Sequence, residues 1–138
     1  MDKTRKLQYI KHLIQDTMVS NIGIEITDIG DNYICGKMPV DKRTMQPHGF
    51  LHGGASVAFA ESLGSLAGSL QIDIKKEVVL GIEINANHLK TVEKGWVYGK
   101  ATPIKIGERI QVWEIQITDD IKKLVCISRL TLAVVKKK

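Results

Sequence analysis

The sequence predicts an α+β domain in which a curved antiparallel sheet wraps around one central helix, at about residues 53–70. Two observations carry this prediction. Residues 53–72 are rich in small side chains and contain a single charge, Glu61. The four longer segments that follow are rich in Val, Ile and Thr, and short polar turns separate them. Such runs and turns are typical of antiparallel strands, so we expect the order helix, two strands, buried helix, four strands.

The N-terminal region predicts a helix and a hairpin. Residues 3–18 place apolar side chains at helical spacing among polar neighbours, which indicates one short amphipathic helix. These side chains are Leu7, Ile10, Ile14 and Met18. Two strands are expected at Ile24–Ile29 and Tyr33–Val40, because residues 30–32, Gly-Asp-Asn, have the chemistry of a hairpin turn. A proline and a glycine then indicate a loop over residues 41–50.

The apolar segment at residues 53–72 has two interpretations, a membrane span or a buried helix. Four Gly, four Ser, a Gln and a central Glu make it too polar for a convincing span. We therefore expect no membrane insertion and a helix buried on nearly all sides, whose small residues let other backbone approach closely.

The remaining chain predicts four strands joined as an antiparallel meander, because the connections between them are short. The expected strands are Glu77–Lys90, Gly95–Ile106, Arg109–Thr118 and Lys122–Val135.

Length, cysteine usage and charge limit the classes of protein that the chain fits. Its 138 residues are enough for one core, so we expect a single domain over residues 1–138. Cys35 and Cys126 are too few for a disulfide scaffold, which favours the cytoplasm. The net charge of +5 comes from the two ends, since the body between residues 12 and 135 has 13 basic and 14 acidic residues. A nucleic-acid partner is not expected.

Glu61 is the residue that most needs an explanation. A carboxylate in a helix wrapped by sheet costs several kcal/mol, on the order of magnitude known for buried charges, unless it is paired or used. The structural alternative is that Glu61 lies on an exposed strip or at a subunit contact, bridged to a lysine. Ser65 lies four residues later on the same helical face and is a candidate to bind water or ligand, although serine also suits tight packing.

The start of the same helix is a second candidate site. Gly53 and Gly54 form its expected first turn, where free N–H groups and the helix dipole can hold a carbonyl oxygen that becomes an oxyanion. His52 precedes this turn and could instead serve only as a cap. Gln46 could donate to the same carbonyl, or could simply be solvated as a loop residue.

The distance between these two candidates predicts a dimer. At about 1.5 Å per residue, the step from Gly53 to Glu61 spans about 12 Å along the helix, too far for both to act on one carbonyl carbon. Two copies packed antiparallel about a two-fold axis would bring Glu61 of one subunit near Gly53 of the other, twice per dimer. We therefore expect a homodimer with shared active sites.

The motifs themselves resemble those of a known family. The segments LHGGASVAFAESLGSLAG, residues 51–68, and GIEINANHLK, residues 81–90, are similar to those of the hot-dog-fold acyl-CoA thioesterases. The resemblance is to the phenylacetate-degradation and 4-hydroxybenzoyl-CoA type, and most of all to aryl-CoA and acyl-CoA hydrolases of menaquinone and enterobactin pathways. It covers the chain from about residue 22 to residue 135.

The resemblance implies hydrolysis of an aryl- or acyl-CoA by named residues. Glu61 would be the nucleophile or the general base, and Gly53 N–H would polarise the thioester carbonyl with help from Gln46. His52 would orient that part of the site, and Ser65 would position water or the acyl group. No metal and no cofactor are implied, since CoA is part of the substrate, and relatives commonly form a homotetramer, a dimer of dimers.

The same resemblance implies where CoA binds, but leaves alternatives open. His88 and Lys90 match the path of pantetheine and phosphate, with Gly54, Arg109 and Arg129 as further candidates. His88 and Lys90 could also be a plain strand-end residue and a solvated charge. The rival functions are a non-catalytic acyl-CoA-sensing module, which would gain nothing from Glu61, and a hot-dog dehydratase.

Overall fold

Nine elements follow the order that the sequence predicts, with one short helix added near the N-terminus. The computed structural model describes residues 1–138. The helices are α1 (Lys3–Ile14), α2 (Met18–Asn21) and α3 (Gly53–Ser69). The strands are β1 (Glu25–Ile29), β2 (Ile34–Pro39), β3 (Glu77–His88), β4 (Trp96–Ile106), β5 (Ile110–Thr118) and β6 (Leu124–Lys136). None of the three helices is both long and apolar enough to cross a membrane.

The six strands form one antiparallel sheet in the order β1-β2-β4-β5-β6-β3. The sheet curves around α3, which is the α+β hot-dog fold that the sequence predicts. The expected meander is correct for β4, β5 and β6 but wrong for β3. This strand pairs with β6 instead of β4, so it forms one edge of the sheet.

The helix expected over residues 3–18 is in fact two helices. α1 ends at Ile14, and Asp16 takes a left-handed conformation with φ of 56°, which turns the chain. Thr17 then caps α2, because its side chain accepts the Val19 N–H at 3.2 Å and donates to the Ile14 carbonyl at 2.6 Å. Met18 therefore belongs to α2, contrary to the prediction.

α3 packs its apolar face against the concave side of the sheet. Its buried residues recur every three or four positions, as one helical face requires. They include Phe59, Ala60, Leu63, Gly64 and Ala67. The buried side chains of β5 and β6 include Trp113, Ile115, Ile117, Leu130 and Leu132. The contact is close, since a Cβ on Gly64 would lie 2.5 Å from the nearest methyl of Leu130.

The C-terminal end of α3 is tied to β5 by a buried polar pair. The Gln111 amide donates to the Gly68 carbonyl at 3.4 Å, and its oxygen accepts from the Trp113 indole N–H at 2.9 Å. The Gly68 carbonyl also accepts from the Gln71 N–H at 3.0 Å, so the Gln111 bond is an additional contact at the end of the helix. The helix is thus fixed on the sheet at the end opposite to the candidate site.

Candidate active site

The start of α3 is held in place by the loop that precedes it. The His52 N–H donates to the Thr44 carbonyl and the Leu51 N–H to the Val92 carbonyl, each at 2.8 Å. Met45 and Leu51 also form an isolated antiparallel bridge. The first turn of the helix is therefore anchored to the body of the domain, which keeps its N–H groups in fixed positions.

His52 caps this helix and leaves one N–H group free. Its Nδ1 accepts from the Gly54 N–H at 2.7 Å, and its carbonyl accepts from Ala55 and Ser56 at 3.0 and 3.2 Å. The Gly53 N–H donates to no protein atom. The dipole of α3 adds partial positive charge at this position, so a carbonyl oxygen is a suitable partner for the free N–H.

A pocket of about 430 Å³ borders this N–H group. We call it the first-turn pocket, and its lining residues include Leu51, Gly53, Ser56, His88, Lys90 and Val125. The imidazole of His88 stands against Gly53, because its Nε2 lies 3.1 Å from the position that a Cβ on Gly53 would take. A side chain at position 53 would press on His88, so glycine keeps this approach open.

Lys90 lies at the rim of the first-turn pocket in an ion pair with Asp119. The hydrogen bond from Lys90 is the main reason that the pKa of Asp119 lies below its usual range. The Ile121 and Lys123 N–H groups also donate to Asp119, at 3.0 and 2.9 Å. Asp119 thus holds Lys90 beside the pocket while closing its own turn.

A second pocket of about 360 Å³ lies farther along α3. We call it the carboxylate pocket, and its lining residues include Met18, Val19, Ala58, Glu61, Ser65 and Leu66. The expected pairing of Glu61 and Ser65 on one helical face is therefore present. The short helix α2, which the sequence did not predict, supplies Met18 and Val19 as part of the opposite wall.

The carboxylate of Glu61 has no hydrogen-bond or ion-pair partner within the chain, so the expected alternative of a bridging lysine is absent there. It lies against β3, where a Cβ on Gly81 would be 2.5 Å from Glu61 Oε2. The half-buried carboxylate is available to a ligand or to another subunit.

The two candidate groups on α3 are separate in one chain. Gly53 borders the first-turn pocket and Glu61 borders the carboxylate pocket. Helix geometry puts about 12 Å between them along the axis. A single chain therefore does not bring the free N–H and the free carboxylate together.

Two residues that the resemblance placed around the carbonyl, His52 and Gln46, and one that it placed near CoA, Gly54, do not border the first-turn pocket. His52 and Gly54 line a third depression of about 220 Å³ instead. Gln46 borders none of the three pockets along α3, and its side-chain oxygen accepts the N–H of His48 in the preceding loop.

The two arginines expected near CoA lie elsewhere in the same chain. On β6, Cys126 pairs with His88, and Ala133 pairs with Ile110, which is the neighbour of Arg109. Seven strand steps of about 3.3 Å separate these positions, so Arg109 and His88 cannot contact the same phosphate within one chain. Arg129 is exposed beside Leu130, which faces α3, and so lies on the opposite face of the sheet.

Two features of the site had no clear signal in the sequence. Ser56 borders the first-turn pocket, yet serine in a small-residue helix suggests only tight packing. Asp119 holds Lys90 across 29 positions of sequence, a pairing that local patterns do not show. No three His, Cys, Asp or Glu side chains are grouped so that they could hold a metal ion.

Comparison with known proteins identifies similar chains. The family described as "Thioesterase superfamily" matches residues 48–126. The Escherichia coli 1,4-dihydroxy-2-naphthoyl-CoA hydrolase is 46% identical over 128 residues, which is 93% of this chain and 93% of that protein.

Solved structures show the same fold. The crystal structure of thioesterase HI1161 (EC 3.1.2.-) from Haemophilus influenzae is 52% identical, covers 94% of this chain and 90% of its own, and superposes with a TM-score of 0.90. Protein SAV0944 from Staphylococcus aureus, solved as a glutamate-to-alanine variant, is 35% identical with a TM-score of 0.85, over 87% of this chain and 99% of its own. A second crystal structure of SAV0944 contains a glutamine-to-alanine variant and describes the protein as a thioesterase enzyme.

Proposed function

This chain belongs to the thioesterase superfamily, and we propose that it hydrolyses an aryl- or acyl-CoA thioester to the free acid and CoA. The observation that carries the proposal is the pair of unsatisfied groups on α3. Gly53 presents a free N–H at a helix N-terminus, and Glu61 presents a free carboxylate eight residues later. Thioester hydrolysis needs both, a donor for the carbonyl oxygen and a base or nucleophile for the carbonyl carbon.

Glu61 drives the chemical step in one of two ways. As a base it takes a proton from water while the water oxygen bonds to the carbonyl carbon; as a nucleophile its oxygen forms that bond, and water then hydrolyses the anhydride. In both routes the C–S bond breaks and CoA leaves as a thiolate, which needs no strong acid. Ser65, in the same pocket, positions the water or the acyl group.

Gly53 polarises the thioester carbonyl, with Gln46 as a second donor and His52 as the cap that orients the turn. The cap is supported by the Gly54 N–H to His52 Nδ1 bond at 2.7 Å. The role of Gln46 is supported by SAV0944, whose substituted glutamine and glutamate stand 15 positions apart. Gln46 and Glu61 have the same separation. Gln46 must turn its amide toward the first-turn pocket to act, since its oxygen now accepts from His48.

The complete site requires a second copy of the chain. β3 is an edge strand of 12 residues, and its exposed side chains include Val78, Leu80 and Ile82. A long apolar edge of this kind favours pairing with another strand. Because Glu61 lies against Gly81 on β3, a partner docked along this edge places its own α3 close to Glu61. Two-fold pairing then forms two shared sites per homodimer, and a homotetramer arises as a dimer of such dimers.

The CoA arm enters along the first-turn pocket. His88 and Lys90 border it and are suited to phosphate or pantetheine contacts, whereas Gly54 lines the neighbouring depression with His52. Arg109 and Arg129 contribute only to CoA bound by another chain of the oligomer. Both cysteines are free, in keeping with a reducing cytoplasm as the site of action.

Thiol release from a panel of CoA thioesters tests the proposal. The panel contains benzoyl, hydroxybenzoyl, dihydroxynaphthoyl, phenylacetyl, hexanoyl and lauroyl thioesters, with a thiol reagent as readout. Release from at least one of them, abolished in Glu61→Gln, is the expected result and ranks aryl against alkyl groups. Binding without release from any member would overturn hydrolysis in favour of a sensing module, and hydration of an enoyl thioester without thiol release would favour a dehydratase.

A further inference from the structure

The serines of α3 fall into two groups according to what their hydroxyls do. Ser62 donates to the Ala58 carbonyl at 2.6 Å and Ser69 to the Ser65 carbonyl at 2.9 Å, the usual bond to the residue four positions earlier. The hydroxyls of Ser56 and Ser65 bond to no atom of the chain. Ser65 belongs to the carboxylate pocket, so Ser56 is the one whose free hydroxyl has no assigned use.

The reason that Ser56 lacks the usual bond lies in the cap of the helix. Four residues before it is His52, whose carbonyl already accepts from the Ala55 and Ser56 N–H groups. A carbonyl oxygen has two lone pairs, and both are engaged. The Ser56 hydroxyl is thus left without its nearest backbone acceptor.

The free hydroxyl faces the first-turn pocket. Ser56 is only 2% exposed and borders that pocket. No fully enclosed side-chain oxygen or nitrogen in the chain lacks a partner, so the unbonded Ser56 oxygen must reach the pocket space. Helical side chains lean toward the N-terminus, over the preceding turn, and this directs the hydroxyl toward the free Gly53 N–H three residues earlier.

We propose that the Ser56 hydroxyl donates a hydrogen bond to the thioester carbonyl oxygen, beside the Gly53 N–H. This inference rests on the hydrolytic function proposed above. As the carbonyl carbon is attacked, negative charge develops on its oxygen, and the two fixed donors stabilise that charge. Ser56 keeps its proton throughout. When the tetrahedral intermediate collapses, a lone pair of the oxyanion re-forms the C=O bond, the C–S bond breaks, and its electron pair and the negative charge leave with the CoA thiolate.

Ser56→Ala, with Ser69→Ala as the matched control, tests this role in turnover. Both variants remove one hydroxyl from α3, but Ser69 lies in the last turn and its hydroxyl serves only the backbone. We expect Ser56→Ala to lower kcat about a hundredfold with little change in KM, as loss of one oxyanion donor does, and Ser69→Ala to match wild type. Ser56→Cys, which keeps the volume but donates weakly, should also lose kcat.

A pair of CoA thioethers tests the contact without turnover. One carries a ketone carbonyl next to the acyl position (phenacyl-CoA), and the other has methylene in its place (phenethyl-CoA). Wild type is expected to bind the ketone more tightly, and Ser56→Ala to reduce that preference by about tenfold while binding the methylene compound as wild type does. An unchanged ketone preference in a folded Ser56→Ala protein would overturn the proposal for Ser56 alone, whereas no thiol release by wild type would overturn the hydrolytic function itself.

Discussion

The first turn and the middle of α3 carry opposite chemistry on one rigid support. Around the first turn, the first-turn pocket offers hydrogen-bond donors and bases that can carry positive charge, with Gly53 at its centre. Around the middle, the carboxylate pocket offers the free carboxylate of Glu61. A thioester needs one group of each kind within a few ångströms, and the helix keeps them about 12 Å apart. In the proposed homodimer each chain would supply one of the two groups to each site.

Glu61→Gln removes the charge of the carboxylate pocket and is expected to give the largest effect. The amide nearly preserves shape but can neither take a proton from water nor attack the carbonyl carbon. Turnover should fall on the order of 10³-fold, with the affinity for a non-hydrolysable CoA thioether largely kept. Steady-state kinetics and calorimetric titration measure the two quantities. Comparable turnover in the variant would remove Glu61 from the mechanism.

Gly53→Pro removes the free N–H of the first turn. Proline is well tolerated at the first helical position, and the extended His52, with φ of −67° and ψ of 129°, suits a following proline. Gly53→Ala is the control, because it adds the same Cβ against His88 but keeps the N–H. We expect kcat of the proline variant to be about a hundredfold below that of the alanine variant. Equal kcat values would mean that the N–H does not contact the carbonyl.

Lys90→Ala tests whether the rim of the first-turn pocket contacts the CoA phosphates. An exposed charge of this kind contributes little, so we expect KM for a CoA thioester to rise roughly two- to fivefold with kcat unchanged. A thioester of N-acetylcysteamine, which lacks the nucleotide, should show no such change. A rise with both substrates would place the effect in folding or in the acyl end of the site.

The ion pair of Asp119 with Lys90 should give the smallest effect, on stability rather than turnover. Because the folded-state pKa of Asp119 lies below its ordinary value of 3.8, its contribution is present above about pH 4 and is lost as pH falls through the folded pKa. Asp119→Asn keeps an oxygen for the turn but loses the charge. Urea unfolding should give wild type the larger free energy of unfolding at pH 7, and the difference between the two proteins should shrink at pH 3. A constant difference would contradict the ion-pair account.

The local patterns of the sequence predict the elements well but not their neighbours. Helix α3 starts at Gly53 as expected, because the glycine pair and the histidine cap act within four residues. The predicted position of β3 beside β4 was wrong, because the link between the two strands, residues 89–95, can span about 23 Å when extended. A link of this length allows β3 to lie beside β4 or at the far edge of the sheet. Only the packing of the whole domain decides between these two positions.

The site likewise contains features that the sequence pattern predicts and features that it does not. The segment around Gly53 and Glu61 predicts both groups, and helix geometry predicts that they are apart. The free hydroxyl of Ser56 could not be predicted, because it depends on the two hydrogen bonds that the His52 carbonyl already accepts. The wall formed by α2 depends on a chain reversal at Asp16, where the apolar spacing predicted a continuous helix.

Subunit complementation is the most direct test of a site divided between two chains. Glu61→Ala and His52→Ala chains, carrying different tags, are mixed and the heterodimer is purified, since it contains one site with both residues intact and one with neither. A shared site predicts two nearly inactive homodimers and a heterodimer with about half the wild-type turnover per dimer. A verified heterodimer as inactive as its parents would contradict the shared site and place Gly53 and Glu61 in separate functions.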